Sequence, residues 1–365
     1  MAYSPQHLAR RRRAHVKRRR AIAATTLVIL LAAVGTGAYV LSRPHHVVVV
    51  HVAAKVHSAP AKSAAPGEYP AAPGAPSLKS VEAALAASDP KHHTSTNASP
   101  SPGAAGSVLD SGTTSSFQQL ASSLPGRLEI AVTPLGSGSS EVLGKDEAAH
   151  GWSTTKVPVL VALLRARGSE GLTSQEMTWA HAAITESDNQ SVLDLFGDLE
   201  RLKGGLGGAS EYMDSVLRAS GDSETTVATA PPPAGAVTTF GQTEWSPSEA
   251  VKFFRALDLG CLLPSSQTSY VLGLMQNIEP SESWGLGSAG FSSVAFKGGW
   301  GPEGGGYLVR QSGIIDPGSS SGAAVAIVDF APSFSAGTEA LTHAASWLNH
   351  HLALTPHGSA GCSAE

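Results

Sequence analysis

The sequence predicts an α/β domain: an antiparallel sheet covered by helices, with a helical lobe beside it. Three observations predict it. Period-two apolar alternation lies near both ends of the region 117–352, four helical patterns fill its middle, and the stretch 151–160, with a nearly unbroken apolar run behind it as far as Leu164, lies between them. Strands at the two ends of a domain with helices between them must meet in one sheet to bury their apolar faces.

What precedes this region has a different composition. Residues 1–20 hold eight basic side chains and no acid, although the whole chain, with 25 Lys and Arg against 29 Asp and Glu, is net acidic at −4. Nothing aromatic is interleaved with these arginines and the remainder is acidic, which excludes a nucleic-acid partner. Residues 21–41 are uncharged and long enough to cross a bilayer as one helix. A cleaved signal has a shorter apolar stretch and a small-x-small site, so the expectation is an uncleaved anchor. The basic tail is then cytoplasmic and everything after Leu41 extracytoplasmic, a single-pass cell-membrane protein. Residues 44–116 are rich in Ala, Pro, Ser, Gly and His, with too little apolar surface to offset ordering entropy; they are expected as a disordered tether spanning roughly 45 to 50 Å. The six histidines at 45, 46, 51, 57, 92 and 93 lack ligand spacing, so neither a metal nor another cofactor is expected.

Within 117–352 the elements follow in order. Residues 117–124 read as a short helix, 127–135 as a strand through Leu128, Ile130 and Val132, and 139–144 as a second strand across a Gly/Ser turn. The stretch 151–164 is a buried helix, with Ser153 and Lys156 on one face of its first turn. Helices follow at 174–185, 190–199, 209–219, from 246 onward, and at 265–276; the one from 246 opens on the capping box Ser246-Pro247-Ser248-Glu249. Strands at 293–297, 307–315 and 322–330 and a closing helix at 337–350 complete the domain, and 353–365 form a tail. Cys261 and Cys362 either pair, tying that tail to the turn after the Ser246 helix, or remain free thiols.

Three short motifs carry chemistry. Ser153-x-x-Lys156 can make a nucleophile, because a partly desolvated lysine loses its proton and can take the serine's. The spacing is weak by itself: Ser88-Asp89-Pro90-Lys91 repeats it in the tether, and an N-cap serine with a solvated lysine would look the same. Ser187-Asp188-Asn189 lies between two helices, where an N-cap turn also suits those residues. Lys297-Gly298-Gly299-Trp300 follows a strand, and read alone it is a strand leaving the core through a glycine turn.

Taken together and in this order, the three motifs resemble those of the penicillin-recognising serine enzymes, most closely the class A β-lactamases and their D-Ala-D-Ala peptidase relatives. The resemblance implies a β-lactamase/transpeptidase-like fold over 117–352 and a β-lactam or peptidoglycan stem-peptide substrate. It implies Ser153 as the acylated nucleophile, Lys156 as its proton acceptor or electrostatic partner, and Ser187 as the relay to the leaving nitrogen. Asn189 is then the holder of the substrate amide, Lys297 the attractor of its carboxylate, and the backbone N–H groups of Ser153 and Trp300 the oxyanion hole. Two departures stand out. Gly298 and Gly299 replace the usual Thr-Gly or Ser-Gly, losing a hydroxyl worth roughly 1.5 to 3 kcal/mol toward a charged partner. The loop 228–239, with Pro231-Pro232-Pro233, carries no deacylating glutamate, and Glu224 and Glu244 only flank it. The expectation is an active-site-serine hydrolase with slow deacylation. A small-acyl esterase or amidase would use the same residues. The alternative of another class is an inactive wall-binding or scaffolding module, against which the intact Ser153, Lys156, Ser187, Asn189 and Lys297 argue.

Overall fold

The alternating segments from the two ends of the domain do pair with one another. The computed structural model describes residues 108–110, 112–234, 236–353 and 361–362. The expected basic tail and the span 21–41 lie outside the described residues, as does the tether up to 107. Five strands, β1 (Arg127–Pro134), β2 (Glu141–Leu143), β5 (Val294–Glu303), β6 (Gly306–Ile315) and β7 (Ala323–Ala331), form one antiparallel sheet in the order β2-β1-β7-β6-β5. The first long strand thus lies against the last, Ile130 opposite Ile327.

Helices cover both faces. Val309 on β6 faces Gly337 of helix α8 (Phe334–His351), where any added Cβ would meet the valine side chain. The next residue, Arg310, reaches the opposite face and donates to the carbonyl of Trp245, just ahead of helix α6 (Pro247–Asp258). Successive strand residues point to opposite faces, so α8 and α6 sandwich the sheet. Helix α1 (Thr113–Ser123) joins the α8 side through the Phe117–Trp347 ring pair, with centroids 5.9 Å apart.

The helical lobe is built around α2 (Lys156–Arg167), in which every residue from Lys156 to Leu164 is buried. A helix apolar on all sides needs neighbours on all sides; α3 (Ser174–Thr185), α4 (Asn189–Lys203), α5 (Leu206–Ala219) and α7 (Ser265–Met275) supply them. Pro158 lies in its first turn, where no intrahelical bond is lost. Among the described residues no helix is long and apolar enough to cross a membrane.

Several expectations are corrected. The tether does not extend to 116: Val108 and Leu109 are buried, Leu109 bridges Leu352, and α1 starts at Thr113. The Ser246 cap forms only half of its box. Its hydroxyl accepts from Glu249 N at 3.3 Å, but the Glu249 carboxylate turns instead to Ser223 N at 3.0 Å and to Lys252. Two short strands, β3 (Ala149–His150) and β4 (Glu244–Trp245), pair outside the main sheet. They are too short to show a period. Of the alternatives left open for the cysteines, the structure has the disulfide, Cys261 to Cys362, across a separation of 101 residues.

Candidate active site

Ser153 stands not in the α-helix but in the short 3₁₀ turn Trp152–Thr155 that leads into it. The turn is fixed from several sides. Gly151 N donates to Thr243 O at 2.8 Å, and Trp152 takes a left-handed φ of 46°, uncommon for a bulky residue. The Arg310 guanidinium, fully buried, ties the neighbouring strands together by donating to the carbonyls of Ala149 at 3.1 Å, His150 at 3.3 Å and Trp245 at 2.9 Å. Arg310 belongs to no sequence motif, and only the three carbonyls around it reveal its role.

Lys156 enters α2 one turn after the serine, with its side chain buried. Its ammonium donates to the Ser187 carbonyl and to Asn189 Oδ1 at 2.9 Å, and lies 3.4 Å from Ser187 Oγ. Burial lowers its pKa to about 7, and the nearby charge of Lys297 pushes the same way, while Glu282 and Asp188 oppose. Ser187 can offer its carbonyl because it adopts a left-handed φ of 56° in the turn between α3 and α4. Asp188 is the N-cap of α4, its carboxylate accepting from Ser191 N at 2.6 Å. The N-cap reading of this motif is realised at Asp188, while its neighbours Ser187 and Asn189 hold the Lys156 ammonium.

The other wall is the edge strand β5. The glycine pair after Lys297 is not a turn, as the sequence suggested; the strand runs on through Trp300 to Glu303, with Gly299 opposite Arg310 and Trp300 opposite Val309 on β6. Glycine is needed here for close approach. A Cβ on Gly299 would stand 2.9 Å from the backbone nitrogens of Ser153 and Thr154, and one on Gly301 would enter the Trp152 indole. The free edge of β5 thereby brings its backbone groups against the turn that carries Ser153. Gly298 faces away from that turn, and a Cβ there would meet the Trp284 ring at 3.4 Å.

Between the walls lies a cleft of about 240 Å³ lined by Ser153, Ser187, Asn189 and Trp300, with Trp152 and Tyr307 among its aromatic borders. Six of the eight expected site residues, Ser153, Lys156, Ser187, Asn189, Gly299 and Trp300, are therefore brought to one place, Lys156 behind the lining and Gly299 against the serine turn. Lys297 lies beneath the cleft, fully buried, its ammonium 3.1 Å from Glu282 Oε2. Burial lowers its pKa and Glu282 counters that. Glu282 itself lines the cleft and was missed in the sequence, since the turn Pro280–Glu282 carries no motif. Neither flanking glutamate takes the place of a deacylating one in the lining: Glu224 accepts from the Ser223 hydroxyl at an exposed position, and Glu244 is exposed on β4.

No family model matches the chain, and no curated protein matches it. Solved structures do. The chain is similar to the chromosome-encoded β-lactamase of Vibrio parahaemolyticus (TM-score 0.52, 16% identity, 65% of this chain and 98% of that one). It is similar also to a class A β-lactamase from Mycobacterium abscessus (0.52, 19%, 65% and 98%) and to a β-lactamase from Streptosporangium roseum (0.52, 17%, 65% and 97%). The chain thus shares the fold of these β-lactamase structures. At such identities the likeness defines the fold, and the activity is a matter for the site.

Proposed function

We propose that this chain is an active-site-serine acyl hydrolase that forms an acyl-Ser153 intermediate with β-lactams or acyl-D-Ala-D-Ala peptides and clears it slowly. One observation carries the reading: a buried lysine with a pKa of about 7 is held by Ser187 and Asn189 one turn from an accessible serine in a cleft. A lysine at that pKa is neutral in a large fraction of molecules near pH 7, so it can serve as a base. In acylation, neutral Lys156 takes the Ser153 proton as Oγ bonds to the substrate carbonyl carbon. The carbonyl electron pair moves to oxygen, where the N–H groups of Ser153 and Trp300 hold it. On collapse the C–N bond breaks and its electron pair stays on nitrogen. That nitrogen takes the proton from Lys156 through the Ser187 hydroxyl, 3.4 Å from the ammonium. In this reading Asn189 binds the substrate's side-chain amide, and the β5 backbone at Gly298, Gly299 and Trp300 forms the strand wall along which the substrate lies.

Deacylation needs a water held and deprotonated. Among the described residues the only carboxylate lining the cleft is Glu282, and it is engaged by Lys297. Without a base for that water the step loses about a hundred- to ten-thousand-fold. In the same reading, residues 21–41 anchor the chain in the membrane with the domain outside. Incubation of the full-length protein with a β-lactam, followed by intact mass and peptide mapping, tests the proposal. One adduct per chain on Ser153 is expected, and label that survives Ser153→Ala contradicts it.

A further inference from the structure

Among the described residues, the cleft beside Ser153 has one charged side chain in its lining, and that side chain is an acid, Glu282. Its carboxylate covers the strand-wall lysine: Oε2 lies 3.1 Å from Lys297 Nζ, with side-chain exposures of 14% and 0%. The cation that would attract an anionic substrate is therefore already neutralised from within the chain. Resting on the acyl-serine reading above, we infer that Glu282 determines specificity, so that the site takes acyl compounds whose group facing Lys297 is uncharged, an ester or an amide rather than a free carboxylate.

Charge balance argues for this first. A substrate carboxylate has either to displace Glu282 from a buried ammonium or to sit beside it as a second negative charge, and like charges sharing one counter-ion disfavour both being ionised. A neutral group meets neither penalty. The position after the lysine adds nothing for an anion, because Gly298 has no hydroxyl and the space beside it holds the Trp284 ring, 3.4 Å from where a Cβ would be. The surfaces on this side are apolar: Trp300 and Pro302 line the cleft, and Trp284 and Phe334 pack against Trp300 with ring centroids 6.0 and 5.1 Å away. The apolar border at Trp300 and Pro302 offers a carboxylate no cationic side chain and suits an ester or amide cap.

The test compares one penicillin-type β-lactam as its free acid and as its methyl ester, each acylation rate normalised to the compound's own hydrolysis by hydroxide. Acylation of the full-length protein is followed by intact mass. Wild type is expected to favour the ester by at least about tenfold, and Glu282→Gln to reduce that preference by at least about tenfold, chiefly through faster reaction of the acid. The wild-type ratio decides the matter even if the variant does not fold. Preference of the wild type for the acid overturns the inference and leaves the acyl-serine reading intact, as does an unmoved ratio in folded Glu282→Gln. An adduct from neither compound overturns both.

Discussion

The two walls of the cleft differ in how far they depart from what their motifs imply. On the helical wall, Ser153, Lys156, Ser187 and Asn189 stand together, with Lys156 desolvated and bonded to its two neighbours. On the strand wall the lysine is present but capped by Glu282, and the hydroxyl expected after it is replaced by Gly298. In the proposed reading, the helical wall keeps every group that bond-making needs, while the strand wall that would recognise a carboxylate has lost one donor and has another neutralised. On that reading one chemistry is kept while what it is applied to changes, because the two tasks rest on different side chains.

The comparison is broken most severely through the helical wall. Ser153→Ala removes the bond-forming atom and is expected to lower acylation by on the order of 10⁶-fold, leaving no detectable adduct. Next comes the base. Lys156→Ala should cost about a hundred- to ten-thousand-fold. In the wild type the acylation rate should be level above pH 7 and fall tenfold per unit below it, since the reactive form is the neutral amine and its pKa is about 7. Glu282 raises the Lys156 pKa, so Glu282→Gln should move that acid limb to lower pH. A limb that stays in place, read from stopped-flow acylation across pH, would separate the two walls electrostatically.

The strand wall should respond less. Gly299→Ala places a Cβ 2.9 Å from two backbone nitrogens of the serine turn, and forcing the elements apart should cost about 1 to 3 kcal/mol of stability together with part of the acylation rate. Denaturant melts and labelling rates measure the two effects on one preparation. The smallest effect on the cleft is expected from the disulfide, neither of whose cysteines lines it. Replacing Cys261 and Cys362 by Ala opens a loop of 101 residues and should lower stability by up to about 4.7 kcal/mol with acylation unchanged.

The helical lobe was legible because its signals are local. Helix α3 occupies the residues expected of it, with Thr173 and Glu176 forming a full capping box at its start. The strand wall was misread because its signals are not. Gly298 and Gly299 look like a turn in sequence, and only the pairing with β6 and the nearness of Ser153 N show why a strand should carry them. Glu282 had no signal at all, since its partner Lys297 is fifteen residues on and nothing in Pro280-Ser281-Glu282 predicts a buried ion pair. Arg310 and the turn at Ser153 belong to the same class: the arginine is held by the carbonyls of Ala149, His150 and Trp245, and Gly151 ahead of the turn by the carbonyl of Thr243, all distant in sequence from the group they hold.

The most direct test of the account is the lifetime of the adduct on Ser153. Full-length protein is mixed with an excess of β-lactam, as acid and as neutral ester, and its intact mass is followed from seconds to hours while the free compound is assayed for hydrolysis. The account predicts one adduct per chain, absent in Ser153→Ala, that persists far longer than a turnover of an ordinary β-lactamase, with little hydrolysis beyond the first equivalent. Rapid hydrolysis of many equivalents without an accumulating adduct would contradict the slow deacylation. The absence of any adduct or hydrolysis would contradict the acyl-serine chemistry itself.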